Sequence, residues 1–597
     1  VAAVVDPLGI PARRGGWWHE YVCPVHGTQL LDSPDTVTFP CPHGCALTGE
    51  PYAGAWAVLA HQAAARSLRA LAVSSSGDPD AADACLAGLL RYAALYRELA
   101  GELRADAQGW MLAGRLFQQA LTEAIWGTSI ALAVQSLAPS VPVERLRPVV
   151  GLLEALRTGA AEARATLLAK DDFRNNYTAW LNACGATTSR ALALLGSPDL
   201  TDEWLSGPHG VSAHANAAVY PDGWEWEGST YYHVFVLRAY LLAWRGRPVP
   251  AALADRLASM VDVVAALATS RGGVLPALND TPYGDPGWDE ELYELCLLAS
   301  SLPEAPDLGF LAAPLAARLP AELVAWRRSE ALALHTDTQR RDTGRGSRLF
   351  GDAGYAVLAG DGYRAVLDLG PHGGSHGHLD KLALYLYGDS ARWQPAYGVP
   401  PYGHPWRKGY YRTTAAHPTL TVDGADQAEA DGRLLYWRCA GSSAEIGAAA
   451  DVFDAVRFER HVRAEPGWLL DVVRVRADRE RDLTLHLRTD VDVTVRAVPG
   501  GAVTHWPGDA GLTGHHTAAG SPAQTAFTTA PDLGPADDPQ RTRPHLRWTT
   551  RATTAVFASV YGPAGTGIEA LRLEPDGAVR VELTGAEPVR WFIEEDP

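Results

Sequence analysis

The sequence predicts a multidomain α+β chain, an N-terminal (α/α) helical toroid followed by a C-terminal antiparallel β-sandwich. Three observations carry that prediction. From about residue 54 to 335, apolar residues recur at three- and four-residue spacing with no strand-like alternation between them. Beyond about residue 345 the period drops to two. At 597 residues the chain is also too long for one ordinary core.

Composition narrows the function classes. A hydrophobic content of 47% with 20% charged residues is that of a globular protein. A net charge of −18, with no long basic run to offset it, argues against a nucleic-acid partner. No uninterrupted apolar window of about 18 residues occurs, so no membrane span is expected. Nineteen Trp and 21 Tyr supply flat platforms that suit sugar rings. Seven cysteines, four of them (Cys85, Cys184, Cys296, Cys439) scattered singly, point to a reduced or metal-using chain rather than a disulfide framework. That favours the cytoplasm. Val1–Asp6 lacks an initiator Met and a basic n-region, so secretion behind a removed signal peptide is the alternative.

Four regions follow in order. Residues 1–53 form a small segment with two Cys/His knuckles, Cys23-Pro-Val-His26 and Cys41-Pro-His43-Gly-Cys45. Their separation is that of a zinc ribbon, with Cys23, His26, Cys41 and Cys45 as the natural ligands of a structural zinc and His43 competing. Residues 54–340 are the toroid, with helices over Trp56–Ala72, Ala84–Leu99, Trp110–Leu137, Val143–Leu168, Tyr177–Leu195, Ser229–Trp244, Pro250–Ala268 and Glu290–Leu302. Residues 341–505 are the sandwich, with strands such as Tyr355–Ala359, Tyr363–Leu369, Leu382–Tyr387 and Trp468–Arg476. Residues 506–597 are a C-terminal β sub-domain, and the Pro/Gly/Asp/Thr-rich run 505–545 reads as a long loop or sub-sheet boundary.

Three polar clusters could do chemistry. Asp171-Asp-Phe-Arg-Asn175-Asn176-Tyr177-Thr-Ala-Trp180 opens a helix, where one Asn suits an N-cap and the pair suits binding of a carboxylate. Asp222-Gly-Trp224-Glu-Trp226-Glu227-Gly-Ser-Thr-Tyr231-Tyr232-His233 bunches acidic and phenolic groups within about a turn and a half of helix. Asp368-Leu-Gly-Pro-His372-Gly-Gly-Ser-His376-Gly-His378-Leu-Asp380 is a glycine-rich turn running into an apolar strand. If the strand starts within the turn, His376, His378 and Asp380 share one face. His-x-His-x-Asp also fits a dinuclear metallohydrolase, but that reading needs a strand-to-helix turn and here an antiparallel-type strand follows.

Helical toroid, then sandwich, with Asn-Asn-x-x-x-Trp, Asp-Gly-x-x-x-Glu-Gly-Ser-x-x-Tyr-His, His-Gly-His-x-Asp and a later Ala-His417-Pro in that order, resembles the heparinase II/III-like polysaccharide lyases over most of residues 17–425. The oligoalginate-lyase-like branch is the nearest in flavour. The resemblance implies β-elimination on a uronic-acid-containing oligo- or polysaccharide, such as alginate or a glycosaminoglycan, with no cofactor needed for the chemistry. It implies Tyr232, with Tyr231 as close rival, as the catalytic phenol, His376 as its partner and Asn176 as neutraliser of the uronate. It places Asn175, Glu227, His233, His372, Arg412, Tyr411 and Trp180 around the substrate. Relatives hold a zinc through residues matching His378 and His417 with an Asp between them in sequence. Gln394 stands at that position here, and Gln is a poor zinc ligand. Two other readings are a toroid glycoside hydrolase using Asp222 and Glu227, and a non-catalytic glycan-binding protein. A homodimer is the expected assembly.

Overall fold

The computed structural model of the protein describes residues 8–269, 273–332, 345–389, 391–508, 511–520 and 525–593. Six helices follow one another round a ring: Tyr52–Ser74, Ala120–Leu137, Asn176–Leu194, Thr230–Trp244, Pro286–Ala299 and Ala321–Leu332. Each packs on the next, and the last returns to the first. A helix with neighbours on both sides needs no polar stripe, which is why Ala120–Leu137 and Thr230–Trp244 are apolar nearly all round. Ion pairs tie the ring shut: Arg69 on the first helix lies 2.9 Å from Glu294 and 2.8 Å from Glu330 on the last two.

Two helices differ from expectation. Residues 110–119 form a loop and not the opening turns of a helix. The buried Glu123 carboxylate accepts the N–H groups of Arg115 and Leu116, giving that backbone partners outside any helix. The stretch 143–168 breaks after Leu146, because Pro148 removes a donor, and resumes as Val150–Ala169.

The sheet region is layered. Arg348–Phe350, Tyr355–Gly360, Tyr363–Asp368 and Leu384–Tyr387 make a four-stranded antiparallel sheet in chain order. Its Leu358, Leu367, Leu384 and Leu386 face a ten-stranded antiparallel sheet, forming the sandwich core. Val357, Val366, Tyr385 and Tyr387 face the other way into the core of the helical ring. This sheet is the middle layer, buried on both faces, so the loops at its ends are pressed against the helices. In the large sheet, Trp468–Leu487 pairs with Arg543–Pro563. Leu469, Val473 and Val475 enter the sandwich core, while Trp468, Leu470 and Val472 pack under a three-stranded sheet at Ile568–Leu573, Val579–Leu583 and Val589–Trp591.

The run 505–545 is not one long loop. Leu512–Ala519 and Ala526–Asp532 are strands that both pair with Arg543–Pro563. A division at residue 505 would cut the strand Gly501–Trp506, whose hairpin partner is Leu512–Ala519. Thr513, His515 and Thr517 alternate on the outer face of Leu512–Ala519, and Ala526–Asp532 is largely exposed, so neither reads as an apolar run. The expected boundary at 340–341 lies outside the described residues. Among the described residues, no helix is long and apolar enough to cross a membrane.

Candidate active site

A cleft of about 1130 Å³ runs between the mouth of the helical ring, the turn Gly374–His376 and the N-terminal segment. Two glycines set the turn. At Gly373 (φ 81°) a Cβ would lie 2.3 Å from the Glu227 carbonyl oxygen, and at Gly377 a Cβ would lie 1.5 Å from that of His372. Only glycine lets the turn close on itself and on the Glu227 loop.

Because the strand begins at Leu384, the turn has no strand alternation. His376, His378 and Asp380 therefore do not share one face, the condition for it being unmet, and the turn divides as expected between His376 toward the substrate side and His378 backward toward His417. His376 faces the cleft. His378 points inward, its Nε2 3.1 Å from Asp280 Oδ1 and its Nδ1 3.3 Å from His417 Nε2. Asp380 accepts a 2.6 Å hydrogen bond from Tyr385 Oη.

On the helical side, the ring of Tyr232 stacks on that of His376 with centroids 3.8 Å apart and planes 22° apart. Ser229 caps the helix Thr230–Trp244, and its Oγ accepts the Tyr232 N–H, which fixes where the phenol leaves the helix. Burial, then the neighbouring Tyr402 and Glu227, pushes the Tyr232 phenol well above its ordinary value. His376 Nδ1 lies 3.1 Å from Glu227 Oε1, at ion-pair distance but off the line of a good hydrogen bond. Asn176 Nδ2 donates to both Glu227 oxygens at 3.2 Å, while its own Oδ1 is buried without a hydrogen-bond partner. Tyr232, His376, Asn176 and Glu227 thus come together across 200 residues of sequence.

The remaining candidates divide. Tyr231 lines the cleft but packs on Phe235 and Trp288, away from His376. Trp180 lines it with its ring against Phe235. Asn175 lines it too, as the helix N-cap, its Oδ1 accepting the Tyr177 N–H. Four others are not on its wall. His233 accepts the Glu225 N–H at Nδ1 and donates from Nε2 to the Met260 carbonyl; burial pushes it down to about 4. Tyr411 is fully buried and donates to the Gly534 carbonyl. Arg412 is spent on the Gly377 carbonyl, bracing the turn. His372 sits 3.5 Å from Glu429. Asp222 accepts the N–H groups of Asp352 and Ala353 through one oxygen and that of Trp224 through the other, so it is no partner for Glu227 in a two-carboxylate site.

Residues not singled out from the sequence complete the site. Tyr402 Oη is 3.0 Å from Tyr232 Oη. Its ring is sandwiched between His19, at 4.1 Å and 8°, and the Arg407 guanidinium, 3.8 Å from its centroid. Asp280 is fully buried between Arg407 and His378. Burial would raise its pKa; the His378 hydrogen bond and Arg407 outweigh that and hold the carboxyl well below the usual range. The signal in the sequence was weak: a proline- and aromatic-rich loop, Val399-Pro-Pro-Tyr402-Gly-His404-Pro-Trp406, and a Trp-Trp-His19 triplet.

The two expected metal sites part company. Cys23, His26, Cys41 and Cys45 present ligand atoms all within 4.8 Å of one another, with His26 Nδ1 3.4–3.5 Å from the three sulfurs. A tetrahedral zinc with ordinary Zn–S and Zn–N bonds puts N and S about 3.6 Å apart, so the set fits. His43 pairs instead with Asp538 at 2.8 Å. His378 and His417 belong to a hydrogen-bonded chain: His417 Nδ1 is 3.1 Å from Tyr385 Oη, and burial pushes His417 down to about 3. Gln394 does not join them, its amide donating to the Leu384 carbonyl. Among the described residues, the Cys23 group is the one metal-ligand cluster of His, Cys and carboxylates.

Residues 342–554 match the family model "Heparinase II/III-like, C-terminal". That stretch belongs to the heparinase II/III-like family. The fold of the whole chain resembles a heparinase III gene product (TM-score 0.62, 14% identity, covering 90% of this chain and 84% of that one). It resembles equally a mutant of heparan sulfate lyase HepC from Pedobacter heparinus (TM-score 0.61, 15% identity, covering 97% and 92%). Another structure titled heparinase III aligns at TM-score 0.60 and 15% identity over 90% of this chain and 82% of that one. At such identities the likeness is one of fold. No curated protein matches the sequence significantly. The heparinase II/III-like domain thus supplies His376 and Tyr402, and the helical ring supplies Tyr232, Asn176 and Glu227.

Proposed function

We propose that the protein is a polysaccharide lyase that cleaves uronic-acid-containing glycans by β-elimination. The observation that carries this reading is the Tyr232–His376 stack, an acid and a base face to face at the junction of ring and sheet, with the Asn176–Glu227 pair behind them. The fold neighbours named as heparan sulfate lyases support the class of chemistry.

Elimination requires loss of the C5 proton of the uronate and expulsion of O4. The Glu227 carboxylate against His376 Nδ1 favours the tautomer protonated there, leaving Nε2 as the proton acceptor. His376 Nε2 takes the C5 proton, the electron pair forms the C4–C5 double bond, and the C4–O4 bond breaks. Tyr232, kept protonated by its desolvated setting, gives its proton to the departing O4. A uronate carboxylate beside His376 shares the Asn176 amide with Glu227, which lowers the charge that would otherwise oppose proton loss. Tyr402, in contact with the Tyr232 hydroxyl, orients it. Uronic-acid polymers and oligomers are expected to give a conjugated product absorbing near 235 nm, a wavelength set by the elimination chemistry. A flat trace across alginate, heparan, chondroitin and hyaluronan oligomers would point instead to a binding protein.

The Cys23–His26–Cys41–Cys45 group would hold a structural zinc, which supplies a cross-link and no step of the reaction. The segment it pins carries His19 onto Tyr402, and the Gly403 N–H donates to the His19 carbonyl. Purified protein is expected to contain about one zinc per chain. Cys41→Ser is expected to lose that zinc and lower the thermal midpoint. Metal-free protein with a chelator-insensitive midpoint would rule the site out.

A further inference from the structure

The charge of the cleft wall bears on which uronate glycan enters, an inference that rests on the lyase reading above. Among the described residues, the Lys and Arg side chains on the wall are Arg66, Arg69, Arg238, Arg327 and Lys170. The arginines already face carboxylates. Arg238 lies 2.9 Å from Glu291 and 2.7 Å from Glu294, and Arg69 lies 2.9 Å from the same Glu294. Arg327 reaches Glu290 at 2.9 Å and also Glu294, while Arg66 is 3.6 Å from Glu290. Arg69, Arg238, Arg327 and Glu294 are all buried. Burial pushes Glu294 up, but Arg327, Arg69 and Arg238 outweigh it and hold it well below its ordinary value, so it stays ionised beside them.

A sulfate half-ester is a permanent anion, and proteins recognise such groups with unpaired guanidinium forks and ammonium groups. Here the forks of Arg69, Arg238 and Arg327 are closed by glutamates in a desolvated setting, where a second anion meets carboxylate charge with little screening, while Arg66 and Lys170 stand at the exposed edge, where solvent and salt screen them. The rest of the wall offers flat rings at Trp18, Trp56 and Trp110, with Trp110 more than half exposed. Such faces take sugar rings without needing charge.

We propose that the substrate is a uronate glycan without sulfate groups, its carboxylate met at His376 and Asn176 and its rings held by the tryptophans. The test compares matched backbones: heparosan against heparan sulfate, unsulfated against sulfated chondroitin, and polymannuronate against its chemically sulfated derivative. On whichever backbone is cut, kcat/KM from absorbance near 235 nm is expected to be at least about tenfold higher for the unsulfated member. Equal or faster cleavage of the sulfated member overturns the proposal. If no backbone is cut, the lyase reading fails by itself. Binding of the same labelled oligosaccharides then decides the charge inference: tighter binding of the unsulfated member supports it, and tighter binding of the sulfated member, or of neither, overturns it. Glu291→Gln, which uncovers one side of Arg238, is expected to raise the ratio of sulfated to unsulfated activity severalfold. An unfolded variant would lower both activities and could not mimic that rise.

Discussion

Tyr232→Phe is expected to lower kcat by about 10²–10⁴-fold while KM changes little. The phenylalanine keeps the ring stacked on His376 and removes only the hydroxyl that would protonate O4. Tyr402 Oη then loses its 3.0 Å partner, a stability cost of about 1 kcal/mol that leaves the fold intact. The measurement is steady-state turnover by product absorbance, beside a thermal melt of wild type and variant. A variant that melts like the wild type and turns over at more than a tenth of its rate would remove Tyr232 from the acid role. Tyr402→Phe leaves the Tyr232 proton in place, so its effect is expected to be smaller. The opposite order would move the acid role to Tyr402.

Asp280→Ala is expected to reduce unfolding free energy by about 3–5 kcal/mol, the scale found when one partner of a buried ion pair is deleted. Asp280 is fully buried and joins a loop of the helical ring to two elements of the sheet region, Arg407 and His378. Without it the Arg407 cation remains buried beneath Tyr402, and the His turn loses its anchor. Denaturant titration reads the loss, and a shift under about 1 kcal/mol would mean that solvent reaches Arg407 and compensates.

The same carboxylate predicts a pH signature. Its folded pKa is depressed, so the folded protein binds fewer protons than the unfolded chain. Its contribution is fully present above the unfolded carboxylate value of about 4 and is lost as pH falls through the folded value. His417, pushed down to about 3 by burial, works in the same direction from higher pH: below the unfolded histidine value of about 6.5 the unfolded chain takes up a proton that the folded chain refuses. Comparing Asp280→Asn with wild type separates the two. The variant is expected to keep the loss that begins near pH 6.5 and to show a shallower one below about pH 4, where other depressed carboxylates such as Glu294 and Asp380 still contribute.

Much of the architecture was legible in advance because it is written in local periodicity. Helical spacing marked five of the six ring helices, and the last, Ala321–Leu332, passed unmarked because its buried face carries the charged Arg327 and Glu330. Strands buried on both faces, such as Tyr363–Asp368, stood out as apolar runs. Thr- and His-bearing strands of the large sheet, such as Leu512–Ala519, did not, since half their side chains meet polar neighbours. In the site, Tyr232, His376 and Asn176 stand in ordered motifs, and Cys/His spacing alone marks the candidate zinc ligands.

The sequence by itself determined the change of period near residue 345, the glycine-rich turn that carries His376, and the spacing of the four Cys and His residues at 23–45. Only the tertiary structure decided which side chains meet. It gave the inward His378 its partner Asp280, set Tyr232 rather than Tyr231 against His376, and brought in Tyr402 and His19. The reason is physical: periodicity reports which face of an element is buried, a property of neighbours three or four residues apart. The contacts that make the site span 98 residues for His378–Asp280, 170 for Tyr232–Tyr402 and 383 for His19–Tyr402. Those distances are closed by packing the middle sheet into the helical ring, and no local pattern encodes the register of that packing.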